Sequence, residues 1–346
     1  MASNVIKSNK FRMIKIKLTN WDQGRNEPTF RPLLFHHQLF PQVGVQFVID
    51  GSYDLEFIGM NDFINKKIPL KDSIEYGLEC VGKRNGNYFL FDGSDSTSIM
   101  GSYEVFKQSN ALHLFKSAKT TIEQYKIPSL FNKWWFGEGE DLNLSYDIPP
   151  EVYNNIKLTG WNFGYYNPNY LKFYNSDLNR DIDICAIYMG NHYKQYCHSV
   201  RDDIPYTEHR IKAWEILKNS KNISYEINKR PFPEFAQVML RSKCTLSPYG
   251  QGELCYRDFE IIQFGSVMIK PDMSKVLTHP NIYLPYETYI PCALDYSDLL
   301  EKVQWVKENP MECDEIVRNS RKLMQEYYTG ENLVLYWYNL LNDLNN

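Results

Sequence analysis

The chain has 346 residues, 43% of them hydrophobic and 23% charged, which is enough for two globular domains and excludes a disordered polymer. A formal net charge of −4 leaves no basic excess to neutralise phosphates, which argues against a general nucleic-acid binder. No run reaches the roughly 18 apolar residues that span a bilayer. The first 20 residues lack a signal peptide's apolar core, and seven cysteines show no C-x-x-C pair, so a cytoplasmic protein with reduced thiols is expected.

After a polar lead, residues 11–18 alternate apolar and polar side chains and predict a first strand. Residues 45–49 and 55–59 predict two more, residues 70–81 a helix, and residues 87–92 a further strand. The segment 102–119 can be a helix, a strand, or both in succession. This alternation favours a first α/β half with a largely parallel sheet. Residues 130–178 are rich in Trp, Tyr, Asn, Pro and Gly, including 133–137 and 161–168, and read as an interdomain connection and part of a cleft wall.

A second α/β half begins with a strand at 182–188. A helix over 206–218 follows, with Ile211, Trp214 and Leu217 on one face, then a strand at 223–227 and a helix at 233–241. Strands at 244–246 and 267–269 flank the most informative stretch, residues 247–272. Three helices, at 296–308, 311–328 and 333–344, end the chain. An aromatic content of 15%, with 26 Tyr and 7 Trp, suits sugar binding, because a ring face packs on a sugar's apolar face. A codon bias toward Tyr, Asn, Ile and Lys explains the same composition equally well.

Residues 247–272 read as a strand end, a glycine loop, a helix and a second strand ending at Lys270. Glu253, Arg257 and Glu260 fall at i, i+4 and i+7, on one face of that helix. Cys255, Phe259 and Ile262 make the core-facing stripe. Gly250 and Gly252, beside Tyr249, let backbone approach a phosphate, and a helix N-terminus offers free N–H groups to it. Arg257 is a fork for diphosphate oxygens, Lys270 emerges toward the same rim, and the carboxylates suit ribose hydroxyls. On spacing alone, the three charged residues can also be a solvated salt-bridge face. Arg210, early in the 206–218 helix, is a further phosphate candidate or a surface arginine.

The unit is similar to the C-terminal, nucleotide-binding half of GT-B glycosyltransferases. Residues 256–260 followed by 265–269 resemble the exostosin-like branch, where an Arg-x-x-Glu helix follows a glycine loop and a Gly starts the next strand. Residues 271–274 and 279–283 look like related bacterial and viral polysaccharide transferases. The resemblance is strong over about 240–285 and elsewhere holds only in layout. It implies a GT-B α/β fold: two Rossmann-like α/β/α domains facing across a cleft. The acceptor-side domain would span 1–165, with the C-terminal helix 331–346 packing back on it, and the donor domain 166–330. It also implies that Arg257 and Lys270 hold the diphosphate and Glu260 the donor ribose or sugar. Glu253 and Glu260 are similar to the two-glutamate motif of retaining GT-B enzymes with one residue fewer between them, so inverting and retaining outcomes both stay open, the first preferred.

Asp92 and Asp95, just after the strand at 87–92, are the candidate bases for an acceptor hydroxyl, or a plain Asp-Gly turn. His36 and His37 are rivals. Asp181 and Asp183 have the Asp-x-Asp form of metal-dependent transferases but open an alternating strand, and His192, His198 and His209 lack zinc-site spacing. The function expected is transfer of a sugar from a nucleotide-diphosphate donor to a glycan hydroxyl. No cofactor is required, since the sugar nucleotide is a substrate, and metal is inessential because Arg257, Lys270 and the helix end can stabilise the leaving group. The alternatives are a non-catalytic glycan-binding protein on the same fold and a metal-dependent enzyme centred on aspartates.

Overall fold

The computed structural model describes residues 13–19, 27–60, 69–84, 86–99, 101–127, 145–160, 179–188, 205–250, 252–328 and 330–343. The sequence features at 133–137 and 161–168, and His192 and His198, lie outside them. The chain divides into two compact units. The first comprises Met1–Gly164, Thr278–Pro280 and Gln325–Asn346, the second Tyr165–Leu277 and Asn281–Met324.

In chain order the strands are β1 (Ile14–Thr19), β2 (Val45–Val48), β3 (Leu55–Gly59), β4 (Tyr88–Asp92), β5 (His113–Lys116), β6 (Ala118–Thr120) and β7 (Ile156–Leu158). They continue as β8 (Ile182–Cys185), β9 (Tyr225–Glu226), β10 (Ser242–Leu246), β11 (Val267–Pro271), β12 (Val276–Thr278) and β13 (Ile290–Cys292). The helices are α1 (Glu27–Phe35), α2 (Leu70–Gly82), α3 (Ser102–Gln108), α4 (Ile122–Tyr125), α5 (Pro150–Tyr153) and α6 (Pro205–Lys218). After them come α7 (Phe232–Arg241), α8 (Tyr256–Phe264), α9 (Leu299–Glu308), α10 (Pro310–Tyr328) and α11 (Glu331–Asp343).

Each unit is an α/β sandwich on an all-parallel sheet. The first sheet runs β2-β1-β3-β4-β5-β7 and the second β13-β11-β10-β8-β9. Both start in the interior, step to one edge and return, so each has a topological switch point, between β1 and β3 and between β8 and β10. Two such Rossmann-like units in one chain make up the GT-B type of α/β fold that the sequence implies.

The central strands β3 and β4 are buried along their whole length, as a sheet covered on both faces requires. The period-2 alternation then sorts their side chains. Phe57, Phe89, Phe91 and Phe115 face one side, where ring centroids of Phe91 and Phe115 lie 4.7 Å apart and nearly parallel. Ile58, Leu90 and Leu114 face the other and pack with Val81, Tyr103 and Val105. The phenylalanine face is closed by α11, whose Leu333, Val334, Trp337 and Leu341 form one buried stripe. Trp337 lies 5.2 Å from Phe115 and 5.6 Å from Phe57, ring to ring.

Several elements depart from the sequence reading. The ambiguous stretch 102–119 is α3, then β5 and β6; extended backbone at Ser109 (φ −104°, ψ 173°) ends the helix. The periodicity missed α1 and the 3₁₀ helix His37–Val43, which is closed by Gly44 in the left-handed region (φ 75°). It also missed the short strands β7 and β13, too brief to show alternation. Helix α9 begins at Leu299, three residues later than expected, because Asp298 turns its carboxylate to the Ala293 N–H at 2.8 Å.

Trp337 is 1% exposed, so Trp337→Ala opens a cavity against three phenylalanines. Chemical denaturation should show a loss of about 3–5 kcal/mol; a loss below about 1 kcal/mol would mean that α11 does not close this core.

Candidate functional site

Open α/β sheets bind ligands beyond the C-terminal ends of their strands, at the switch point. In the second unit that place lies past β8 and β10, where Tyr188 and the loop 247–255 emerge. Helix α6 supplies the next layer. Arg210 and Trp214 sit four residues apart, on one helical face. The Trp214 indole stacks on the Tyr188 ring at 4.9 Å and 9°, and its N–H donates to the Ala186 carbonyl at 2.8 Å. The Tyr188 hydroxyl donates to the Arg210 carbonyl at 3.0 Å, and the Arg210 guanidinium lies over the same ring, 5.8 Å from its centroid.

A second guanidinium joins it. Arg257, on the first turn of α8, lies over the Tyr188 ring at 5.7 Å. Arg210 is buried, and its Nε donates to the Tyr249 carbonyl at 2.9 Å. A side chain at Gly250 would put its Cβ 3.0 Å from an Arg210 Nη, so glycine is what lets the guanidinium lie against the loop. The structure thus brings Arg210, Tyr249, Gly250 and Arg257 together, with Glu260 one helical turn beyond Arg257.

The expected single face of Glu253, Arg257 and Glu260 is corrected. Cys255 is extended (φ −145°, ψ 142°) and α8 starts at Tyr256, so Glu253 lies in the preceding turn and is buried. The reason is a cap: the Asp258 carboxylate accepts from the Cys255 N–H at 3.2 Å. The N-terminus of α8 therefore carries its own carboxylate and does not present a bare set of N–H groups.

Lys270 is corrected in the same way. It is fully buried, and its ammonium lies 3.2 Å from both oxygens of the equally buried Asp258. Asp258 also accepts from the Ser247 hydroxyl at 2.5 Å and the Tyr283 hydroxyl at 2.7 Å. Lys270 stands 5.3 Å from the Tyr249 ring and 5.8 Å from the Tyr283 ring, which cage its charge. It acts inside the wall of the site and not on its surface. Tyr249 is likewise engaged, its hydroxyl donating to the Asp272 carbonyl at 2.8 Å. Gly252 is buried in the same loop, where its carbonyl accepts from the Gly250 N–H at 2.9 Å.

Arg257 differs from these. Its Nε is buried and has no hydrogen-bond acceptor among the described residues. Burial raises the Glu260 carboxyl above its ordinary range, Arg257 pulls it down and Asp258 pushes it up. An Arg257 Nε without an acceptor among the described residues, a second guanidinium over the same ring and the Glu260 carboxyl one turn on are groups that can hydrogen-bond to an anion and to hydroxyls.

In the first unit, Asp92 ends β4 and faces Lys116 across the β4–β5 register, with Nζ 2.8 Å from its carboxylate. The Ser102 hydroxyl donates to it at 2.6 Å and the Ser94 N–H at 3.0 Å. Burial alone would raise its pKa, but the Lys116 charge and these hydrogen bonds prevail and hold it at about 2. Of the two candidate bases, Asp92 is thus the one whose carboxylate is engaged by Lys116, Ser102 and the Ser94 N–H. Asp95, half-buried in the following loop, is not in that ion pair. His36 is buried, which lowers its pKa, and the His37 Nδ1 lies 2.7 Å from the Leu34 carbonyl.

The Asp-x-Asp carboxylates are taken up by cations at the far end of β8 from the switch point. Asp181 pairs with Arg241, while Asp183 meets Lys243 at 2.6 Å, Lys307 at 3.0 Å and the Ser224 N–H at 3.0 Å. Among the described residues, no group of three or more His, Cys, Asp or Glu could hold a metal ion. The sequence reading passed over Tyr188 and Asp258. The i+3 spacing from Cys255 to Asp258 is a capping signal that could have shown the second, and the Arg210–Trp214 spacing pointed to a shared aromatic partner.

Residues 261–346 match the sequence model described as Glycosyl transferase family 90. The match begins one residue beyond Glu260 and includes Lys270. Uncharacterized protein 179R of Invertebrate iridescent virus 6 is 40% identical over 61 residues, 18% of this chain and 5% of that protein. Protein O-glucosyltransferase 3 of Homo sapiens is 35% identical over 57 residues, 16% of this chain and 11% of that protein. The chain therefore matches only a small part of these relatives' length. Among solved structures, Anabaena Alr3699/HepE in complex with UDP-glucose has a TM-score of 0.48 and 8% identity, covering 95% of this chain and 100% of that one. The resemblance to glycosyltransferases drawn from the sequence is borne out in the C-terminal quarter. No helix among the described residues is long and apolar enough to cross a membrane.

His209, next to Arg210, donates from Nδ1 to the Leu294 carbonyl at 2.9 Å, so Nε2 accepts from the Tyr296 hydroxyl at 2.5 Å. Burial holds its pKa down at about 4, against 6.5 for a free imidazole. Between these values the unfolded chain binds a proton that the native one refuses, so stability falls as the pH drops from about 6.5 toward 4. Urea midpoints at pH 7 and pH 5 should show this loss, and His209→Gln should reduce the pH dependence. An unchanged slope would mean that the Tyr296–His209 bond does not hold the imidazole neutral.

Proposed function

We propose that this protein is a glycosyltransferase that moves a sugar from a nucleotide-diphosphate donor to a hydroxyl of a glycan acceptor. The observation that carries this reading is the arginine pair at the switch point of the second unit, with the Arg257 Nε buried and lacking an acceptor. A buried donor left unsatisfied costs about 1–3 kcal/mol, a cost that a phosphate oxygen would remove. The family 90 segment at 261–346 supports sugar transfer over other chemistry on a diphosphate. The O-glucosyltransferase named among the relatives makes glucose the first donor sugar to test.

In the proposed reaction the acceptor hydroxyl oxygen attacks the anomeric carbon as the bond to the donor's β-phosphate oxygen breaks. The diphosphate leaves with that electron pair, and a base takes the hydroxyl proton. Arg257 and Arg210 offset the charge that develops on the leaving oxygen, which is the work a metal ion does elsewhere, so no metal is required. Glu260 accepts from hydroxyls of the donor. Attack from the face opposite the leaving diphosphate, with inversion, needs a base at the acceptor hydroxyl. Asp95 is assigned that role, because Asp92 is committed to Lys116. We place the reaction in the cytoplasm, where the buried thiols of Cys185, Cys244, Cys292 and Cys313 stay reduced.

Arg257→Ala should weaken binding of nucleoside diphosphates tenfold to a hundredfold, roughly the loss of charge-assisted hydrogen bonds. Equal affinity in a folded variant, by calorimetry, removes the central assignment.

Asp95→Asn should lower turnover by on the order of 10²-fold or more, with activity preserved in excess chelator. Normal turnover in that variant would place the base elsewhere.

A further inference from the structure

Two like charges seldom share one ring without a reason. The Trp214 indole lies parallel to Tyr188 at 4.9 Å and covers one face of it. Arg210 and Arg257 lie over the same ring, at 5.8 Å and 5.7 Å, so the face opposite the indole is the one left to both guanidiniums. Bringing two cations together on one face costs Coulomb energy, all the more where the surroundings are poor in water. The ring quadrupole offsets part of that cost, and the Trp214 stack keeps the ring from turning away. An anion lying between the guanidiniums offsets what remains.

We propose that Tyr188 is a positioning residue that sets the spacing of Arg210 and Arg257 so that they bridge the two phosphates of a diphosphate, giving preference over a single phosphate. The inference rests on the donor-binding reading above and adds the element that makes the site selective. Several features converge on it. Tyr188 is 5% exposed and stands just beyond the end of β8, so its backbone is fixed by the sheet. Its hydroxyl donates to the Arg210 carbonyl, which ties the ring to the backbone of the helix that carries the first guanidinium. Arg210 is held at its other end by the Tyr249 carbonyl and lies against Gly250. Arg257 has no such anchor on its Nε, and its guanidinium lies over the ring. One aromatic ring therefore registers an arginine from α6 with an arginine from α8.

The test uses the full chain, with inorganic pyrophosphate and inorganic phosphate as probes in titration calorimetry. The wild-type protein should prefer pyrophosphate by tenfold or more. Tyr188→Phe keeps the ring and should keep that preference, whereas Tyr188→Leu should lower it about tenfold. A series of increasingly fluorinated phenylalanines at position 188 preserves shape while draining the ring's charge, so a failure of the leucine variant to fold leaves the test intact. Pyrophosphate affinity should fall stepwise along that series, while phosphate affinity moves less. A flat series, or an equal loss for the two anions, overturns the proposal. Loss of the preference in Tyr188→Phe overturns it as well, because the hydroxyl and not the ring would then set the spacing. The underlying reading is tested apart from this one. A stepwise series without any sugar transfer leaves the platform standing and removes the transferase, and a flat series with active transfer does the reverse.

Discussion

The second unit depends on one buried ion pair. Asp258 and Lys270 are both fully removed from water, a state that is costly unless the charges are paired and their remaining hydrogen-bonding capacity is met. Both conditions hold. The carboxylate accepts from Lys270, Ser247, Tyr283 and the Cys255 N–H, and the ammonium sits between the rings of Tyr249 and Tyr283. Those partners come from the loop after β10, the start of α8, β11 and the segment between β12 and β13. One joint therefore fixes the loop after β10 and the start of α8, the segments that carry Tyr249 and Arg257. Removing either charge alone would leave the other bare in the interior, which costs about 3–5 kcal/mol in comparable cases.

The same chemistry recurs in the first unit with its parts exchanged. There the aspartate, Asp92, ends a strand, and the serine that donates to it, Ser102, opens a helix. In the second unit the serine follows the strand and the aspartate lies in the first turn of the helix. In both, the lysine comes from the neighbouring parallel strand, Lys116 on β5 or Lys270 on β11. A strand end, the helix after it and the next strand all converge at the C-terminal edge of a parallel sheet. A lysine bound to an aspartate and a serine locks all three. Two of the candidate site residues, Asp92 and Lys270, are thereby held in buried ion pairs.

With those supports assigned, the functional electrostatics shift to the arginines. A guanidinium keeps its charge under all ordinary conditions and presents several donors in a fixed plane, so it can hold phosphate oxygens while stacked on a ring. Glu260, one helical turn beyond Arg257, has its carboxyl raised by burial. The family 90 segment covers β11 and the helices beyond it but stops short of Arg257, Arg210 and Tyr188. The case for those three rests on geometry alone.

The sequence by itself determined the periodic elements. Strands β3, β4 and β8 and helices α2, α7 and α11 are readable because burial on one or two faces imposes a period of 2 or 3.6 on the side chains. The parallel α/β class follows from their alternation, and the Arg-x-x-Glu motif lies on a helix, α8, as its spacing implies. Only the tertiary structure decided which buried charges are paired with each other. A lysine and an aspartate twelve residues apart carry no mark of being partners, since their meeting depends on the register of β10 against β11 and on where α8 begins. Nor could spacing show that Arg210 and Arg257 lie over the ring of Tyr188, because two crossover connections bring them to one ring. Short-range order is written in local periodicity, whereas the partner of a buried charge is set by topology.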